Sequence, residues 1–389
     1  MEAAGGSVMV ATIAQASKAE FYLERQRSYR HPNEYLRGGE EPDGIWWNPA
    51  TLFELADGGR VDSRDFFRLH EGMAPDGSGK LTQRAGGAKR SPGLDLALNA
   101  DKTVSALWAI ADEGLRADVS KAHCDAARTA LGKIIGRYCS VTRVRKGEGN
   151  LLVVPGDILA AMFQQGASYE GDPQLYTHCV IFNVVRTCRD GRYRSLHQKP
   201  AYFWKMAAGA AYRNALAWNL RTRLGICMEQ YGPDGAFTRI AGMPEALVAH
   251  WSKRRKTIAK SGDTGSFYKL DHRVRALGGP KRHERWRSEC AGFVNPGELI
   301  GSLIGQEVGQ PPDTPVERAL CTNAVLARLG ARTEGVRLCQ VVQVVENAAA
   351  GLLDRSATAD ILGRVLQAGM VVRPGSVEMG NERRVWRQR

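Results

Sequence analysis

Residues 171–183, "GDPQLYTHCVIFN", decide how this chain is read. Gly171, Asp172 and Pro173 punctuate a turn. From Leu175 the chain alternates and then runs apolar through Cys179, Val180, Ile181 and Phe182, the pattern of a strand covered on both faces. His178 stands at the start of that strand, and Tyr176, two residues earlier, shares its face. A histidine so placed is either a core imidazole bonded to a backbone carbonyl or a working group at a site.

Outward from this strand, residues 8–13 read as a short strand and "AQASKAEFYLERQRSY" as a helix. Residues 30–93, rich in Gly, Pro and Asp, read as loops around one helix, "SRDFFRLHEG". "GLDLALN" (93–99) alternates as a strand, and Asp101 caps a helix behind it. A helix over 115–138 follows, then "NLLVVPGDILAAMFQQGAS" as one strand before the turn at 171–173. "DGRYRSL" returns as a hairpin arm, 201–224 is a long helix, and "CMEQYGPDGAFTRI" is a second hairpin. The fold class is α+β: a central, largely antiparallel sheet with flanking helices.

The chain has 389 residues, 54 Lys and Arg against 41 Asp and Glu, and a net charge of +13. Its mean hydropathy is -0.33 and its isoelectric point about 9.5. The excess of positive charge points to a polyanion, nucleic acid before membrane, because no basic amphipathic helix with an aromatic face stands out. No apolar run reaches bilayer length, and the first residues lack a secretory pattern. The eight cysteines are dispersed with no CxxC pair, which reads as reduced thiols in a cytoplasmic protein. The stretch from His250 to Glu289 is basic and interleaved with aromatics; Lys253, Arg254, Arg255 and Lys256 are candidate phosphate contacts, and Trp251 and Trp286 candidate stacking platforms. Its plainer reading is a solvated helical face with a few core aromatics. "VGQPPDTP" (308–315) reads as a linker, and 316–389 as a small helical module whose last residues suit the wing of a winged helix.

Several blocks in order resemble the TrwC/TraI-type conjugative relaxases, the MobF family of HUH endonucleases. "DPQLYTHCVIFN" is similar to their "DPQLHTHAVILN"-type motif, and "GLDLALNADKTVSALWAI" to their "DLTFSAPKSVS" segment. "ASKAEFYLERQRSYRHPNEYLRGGEEPDGIWW" resembles their N-terminal tyrosine region, "GGRVDSRDFFRLHEGMAPDGS" the block after it, and "WSKRRKTI" a late basic helix. The resemblance implies an HUH-type relaxase domain over 8–295 that binds single-stranded DNA at a transfer origin. It also implies nicking and rejoining through a tyrosine–DNA covalent intermediate. Further implied partners are other relaxosome and secretion-system coupling proteins. No GxxxxGK[ST] motif is present, so the helicase many members carry is not expected within this chain.

In that family a tyrosine attacks the phosphodiester, three histidines hold a divalent metal on the scissile phosphate, and an aspartate orients one of them. By resemblance Tyr22 falls near the first nucleophile and Tyr35 near the second, with Tyr29 an unaligned third candidate. Asp95 matches the orienting aspartate, Lys102 a phosphate or capping lysine, and His178 the last histidine. The other two histidine positions fall on Tyr176 and Gln165, and His197 is the nearest histidine in sequence. Phenols ionise near pH 10, and hard cations favour several charged or carbonyl oxygens. Mg²⁺ or Mn²⁺ is therefore expected to bind weakly or not at all. Two readings follow, a strand-transferring enzyme with weakened metal dependence and an origin-binding module without cleavage. A third makes Tyr176, beside His178, the attacking residue. Residue by residue, plainer roles remain open: helix capping for Asp95, and helix-face packing beside Phe21 and Leu23 for Tyr22.

Overall fold

The structure is a computed structural model that describes residues 11–19, 21–22, 41–146, 150–168, 170–253, 279–306, 315–330, 336–349, 351, 353 and 355–368. In chain order its strands are β1 (Ala11–Gln15), β2 (Ile45–Trp47), β3 (Gly93–Asn99), β4 (Val141–Lys146), β5 (Asn150–Asp157) and β6 (Ala160–Ala167). They continue as β7 (Pro173–Phe182), β8 (Val185–Thr187), β9 (Tyr193–Arg194), β10 (Met228–Tyr231) and β11 (Phe237–Ile240). The main sheet is antiparallel in the order β1-β3-β7-β6-β2. β7 lies at its centre, with His178 opposite Ala97 on one side and Phe163 on the other.

Alternation along β7 and β3 sorts the side chains onto two cores. Leu94, Leu96, Leu98, Leu175, Cys179 and Ile181 enter the larger core, each fully buried. Burying each leucine contributes about 1.5–3 kcal/mol. Val180, Phe182, Ala161 and Phe163 point the other way, into a smaller core with Tyr22, Trp46, Phe66 and Leu69. β7 is thus covered on both faces, as its apolar run predicts.

Four helices frame these cores: α1 (Ser63–His70), α2 (Lys102–Ile110), α3 (Glu113–Ala130) and α4 (Lys199–Leu224). Carboxylates begin the first three: Asp62 accepts from the Arg64 amide at 2.7 Å, Asp101 from Thr103 at 2.9 Å and Asp112 from Leu115 at 2.9 Å. The helix expected to reach 138 runs on through Leu131–Cys139 in wider, π-helical turns. Gly136 there meets the Trp47 ring, which would lie 3.1 Å from an added Cβ.

Two expectations about the strands change. "NLLVVPGDILAAMFQQGAS" is two strands: β5 joins a second sheet, β4-β5-β8-β9, and β6 the main one, with buried Ile158 and Leu159 crossing between them. An apolar run does not reveal which sheet it feeds; the break comes just after Pro155 and Gly156. β1 also extends past residue 13, because Ala14 and Gln15 still pair with Asp95 and Leu94.

After α5 (Glu245–His250), the described chain resumes with α6 (Gly279–Ala291) and α7 (Pro296–Leu303), then α8 (Pro315–Gly330), α9 (Leu338–Ala349) and α10 (Arg355–Gln367). The last three enclose their own core, including Val325, Leu329, Val341, Ile361 and Val365. They dock on α4 through a buried polar seam. Asn214 donates to Glu346 at 3.0 Å, Lys133 pairs with the same carboxylate, and Arg213 donates to Asn347 at 2.8 Å. Glu346 is 2% exposed and is tolerated because both partners meet it. Gly351 closes the seam at φ 77°, its amide on Asn214, where an added Cβ would lie 2.4 Å from the Ala217 methyl. The strands expected of a wing, beyond residue 368, lie outside the described residues, as does nearly all of the 308–315 segment.

Behind β7 a buried imidazole ties sheet to helices. His123 of α3 bonds the Tyr212 hydroxyl of α4 at 2.6 Å and Thr177 of β7 at 2.7 Å. Burial holds its pKa down to about 3 from 6.5, so the fold keeps it neutral. The unfolded chain takes up a proton near its ordinary pKa, whereas the fold refuses it until far lower. This stabilisation is therefore complete above pH 6.5 and lost as pH falls from there toward 3. We expect wild-type stability, measured by urea unfolding, to fall between about pH 6.5 and pH 4 with a contribution from His123 of up to about 1.4 kcal/mol per pH unit. His123→Gln should lower stability at neutral pH and flatten that slope. Equal slopes in the two proteins would refute the assignment.

Candidate active site

The site lies on the smaller-core face of the main sheet. Asp95 sits opposite Val180, so it is the diagonal neighbour of His178 on the adjacent strand. Its Oδ2 lies 2.8 Å from His178 Nδ1 and its Oδ1 3.1 Å. A carboxylate only accepts, so Nδ1 carries the proton and Nε2 is the ring nitrogen turned away from Asp95. Asp95 is thus bonded to an imidazole, and the residue that caps the following helix is Asp101.

Tyr22 reaches the same carboxylate from the N-terminal side. β1 ends at Gln15, the Ala16 amide bonds the Gly93 carbonyl at 3.0 Å, and the chain is helical at Ala19, Phe21 and Tyr22. The Tyr22 hydroxyl donates to Asp95 Oδ2 at 3.0 Å and accepts from the Ser17 amide at 2.9 Å. The ring stacks on Phe163 at 5.8 Å, meets Phe66 edge-on at 5.9 Å and is 1% exposed. Burial first, and the neighbouring Asp95 charge second, push the phenol well above its ordinary pKa. His70 fastens the turn from behind, its Nε2 donating to the Ser17 carbonyl at 2.8 Å.

Tyr176 and Gln165 face each other across β7 and β6, and the phenol donates to the Gln165 amide oxygen. The Tyr176 ring meets His178 edge-on at 5.4 Å, and Phe21 meets it at 6.0 Å. The amide oxygen that a cation would need from Gln165 is thus engaged by a protonated phenol, and His178 supplies a single imidazole. Among the described residues no three His, Cys, Asp or Glu side chains gather as a metal-binding group. This donor set does not fit a three-histidine divalent-metal centre. His197 does not repair it: Arg143 of β4 donates to its Nε2 at 2.9 Å, and its amide bonds Val141 of the same strand.

The remaining candidates divide by burial. Trp251 and Trp286 are both fully buried, their indoles donating to Glu289 at 2.7 Å and to the Gly171 carbonyl at 3.2 Å. Neither offers a ring face to a base, which corrects the stacking expectation: aromatics in a basic helix mark its core side as readily as a binding face. Lys102 donates to the Pro173 carbonyl at 2.7 Å, and burial lowers its pKa to about 8. It anchors the turn before β7, the capping alternative rather than a phosphate contact. Lys253 pairs with the buried Asp172 at 3.1 Å. Tyr29, Tyr35, Arg254, Arg255 and Lys256 lie outside the described residues. Sequence reasoning missed Ser17, His70 and Phe163, whose parts here are a backbone amide, an anchor and a packing surface, and no motif announces them.

Residues 16–285 match the model of the TrwC relaxase family. The multifunctional conjugation protein TraI of Escherichia coli strain K12 is 28% identical over 272 residues, 67% of this chain and 14% of that protein. A second Escherichia coli TraI is 29% identical over 238 residues, 59% of this chain and 13% of that protein. The chain therefore spans about a seventh of the length of these curated relatives. Among solved structures, a metal-bound complex of the conjugative relaxase TrwC with oriT DNA superposes with a TM-score of 0.57 at 24% identity, over 74% of this chain and 98% of that one. A copper-bound TrwC–oriT complex gives 0.56 at 23% identity, over 75% and 98%. These likenesses bear out the α+β relaxase fold. With the family match covering well over half its length, this chain belongs to the TrwC relaxase family.

Proposed function

We propose that this chain binds single-stranded DNA at a transfer origin and nicks and rejoins it through a tyrosine–DNA covalent intermediate. The observation that carries the reading is the Asp95–His178 pair, 2.8 Å apart, on the central strands of a relaxase-family sheet and beside the N-terminal tyrosine turn. The net charge of +13 supports a polyanionic substrate. The neighbours' complexes with oriT DNA support a transfer-origin strand in particular.

In this mechanism a phenol of the N-terminal region, from Tyr22, Tyr29 or Tyr35, attacks the phosphorus. A bond forms between phosphorus and the phenolic oxygen, and the bond to the departing 3′ oxygen breaks. The phenol gives up a proton and the 3′ oxygen gains one, so the exchange of esters is balanced and reversible. His178, its Nδ1–H held by Asp95, presents Nε2 to take the phenol's proton. A divalent ion, Mg²⁺ or Mn²⁺, is held weakly or not at all, and no step depends on it. The protein works in the cytoplasm, alongside relaxosome and secretion-system coupling proteins.

A second reading is favoured by the Tyr176–Gln165 hydrogen bond, which occupies two positions the family gives to metal-binding histidines. Here the fold binds the origin without cutting it.

Incubation of the whole chain with a single-stranded oligonucleotide carrying its element's origin separates the two readings on a denaturing gel. The first predicts a DNA-linked species, lost when Tyr22, Tyr29 and Tyr35 are all replaced by Phe and formed about a hundredfold or more slowly by His178→Ala. Tight, salt-sensitive binding with no such species, with or without Mg²⁺ or Mn²⁺, leaves the second reading standing and refutes the first. The ion can be tested without DNA. Mn²⁺ titration followed by electron paramagnetic resonance should show little binding to wild type. Binding should become about ten- to a hundredfold tighter when Gln165→His and Tyr176→His are combined. Tight Mn²⁺ binding by wild type, abolished in His178→Ala, would overturn the account of the donor set.

A further inference from the structure

We infer that Tyr22 is a positioning residue for the Asp95–His178 pair and that the attacking phenol is another tyrosine. The inference refines the strand-transfer reading and rests on it for the word "attacking"; the positioning role rests on geometry alone.

A nucleophilic phenol must reach a phosphorus atom with a free lone pair and shed its proton. The Tyr22 hydroxyl is committed inward on both sides. It gives its hydrogen to Asp95 Oδ2 at 3.0 Å and receives the Ser17 amide hydrogen at 2.9 Å. The ring is wedged between Phe163 and Phe66, and nothing of it beyond 1% meets solvent. To attack, Tyr22 would have to break both hydrogen bonds, withdraw from the smaller core and leave the Ser17 amide and Asp95 without it. Phe21, beside it, is the residue of this turn that sits only half-buried and lies edge-on to His178, and it carries no oxygen.

What the phenol does where it stands is specific. Asp95 Oδ2 receives two hydrogens, one from Tyr22 and one from His178 Nδ1 at 2.8 Å. The carboxylate is thereby fixed from both sides, and with it the plane of the imidazole and the direction of Nε2. Ser17 and His70 fix Tyr22 in turn. A carboxylate held by one partner would be free to rotate, and His178 with it.

The Tyr22→Phe variant of the full chain tests this, since it removes one oxygen and keeps the ring. With an origin oligonucleotide as probe, Tyr22→Phe should still form the DNA-linked species, about ten- to a hundredfold more slowly and with a changed pH profile. Peptide mass spectrometry of the wild-type adduct should place the nucleotide phosphate on a tyrosine other than Tyr22. A phosphate found on Tyr22, or complete loss of an otherwise robust adduct in Tyr22→Phe, overturns the inference. A measurement on the free protein decides the positioning role even if wild type forms no adduct, an outcome that would sink the strand-transfer reading alone. The His178 Nδ1–H resonance, observed by nitrogen-15-edited NMR, should move downfield in Tyr22→Phe, because Asp95 loses its competing donor. An unmoved resonance in a folded variant refutes positioning.

Discussion

One carboxylate organises the working face of this protein. Asp95 stands on β3, accepts from an imidazole on β7 and from a phenol delivered by the turn after β1, and so joins three segments distant in sequence. Charge-assisted hydrogen bonds of this kind are roughly twice as strong as neutral ones, and they are directional. The sheet's role follows from that. Only with Asp95 opposite Val180 and Ala97 opposite His178 do the two side chains share a face at diagonal spacing. A slip of one residue would turn Asp95 into the leucine-lined core and leave His178 alone. Leu94, Leu96 and Leu98, locked into the other face, are what forbid the slip.

Much of this was legible because alternation is a local property. The period of two in "GLDLALN" and in "THCVIF" put Asp95 on one face of its strand and His178 on one face of the next, and the resemblance paired them. The turn at Gly171–Pro173, the cap at Asp101 and the polyanion-seeking charge are equally local. What escaped was set by burial. Trp251 and Trp286 sit in a basic stretch, yet helix periodicity carries them into the core, where Arg282 lies 5.2 Å from the Trp286 ring centroid. Lys102 reads as a phosphate or capping lysine, and only α2 shows it reaching the Pro173 carbonyl at the start of β7. Tyr22 reads as a nucleophile or as a packed helix-face residue, and only the structure shows its hydroxyl bonded inward to Asp95 and the Ser17 amide. A sequence names the group; only packing says whether it is exposed.

The same face carries a second polar pair beside Asp95 and His178. Gln165 and Tyr176 occupy directly opposed positions, and the phenol of one bonds the amide oxygen of the other. The orienting pair, Asp95 and His178, stands beside them, and its hydrogen bonds run through neither residue.

The energetic consequence bears on mechanism. A Lewis acid at a scissile phosphate supplies several kcal/mol of transition-state stabilisation, about two to four decades of rate at roughly 1.4 kcal/mol per tenfold. A strand-transferring protein that binds such an ion weakly relies the more on positioned groups, and an imidazole with a fixed tautomer, its Nε2 left to accept a proton, is the one this pair holds. Its worth depends on how little it can move. The layered support behind it runs from His178 to Asp95 to Tyr22 to Ser17 to His70, a chain of hydrogen bonds that fixes the imidazole from behind. A binding-only protein would have no use for that rigidity, because holding a DNA strand requires no imidazole aimed to within a few tenths of an ångström. The relay is thus an argument for chemistry at this site.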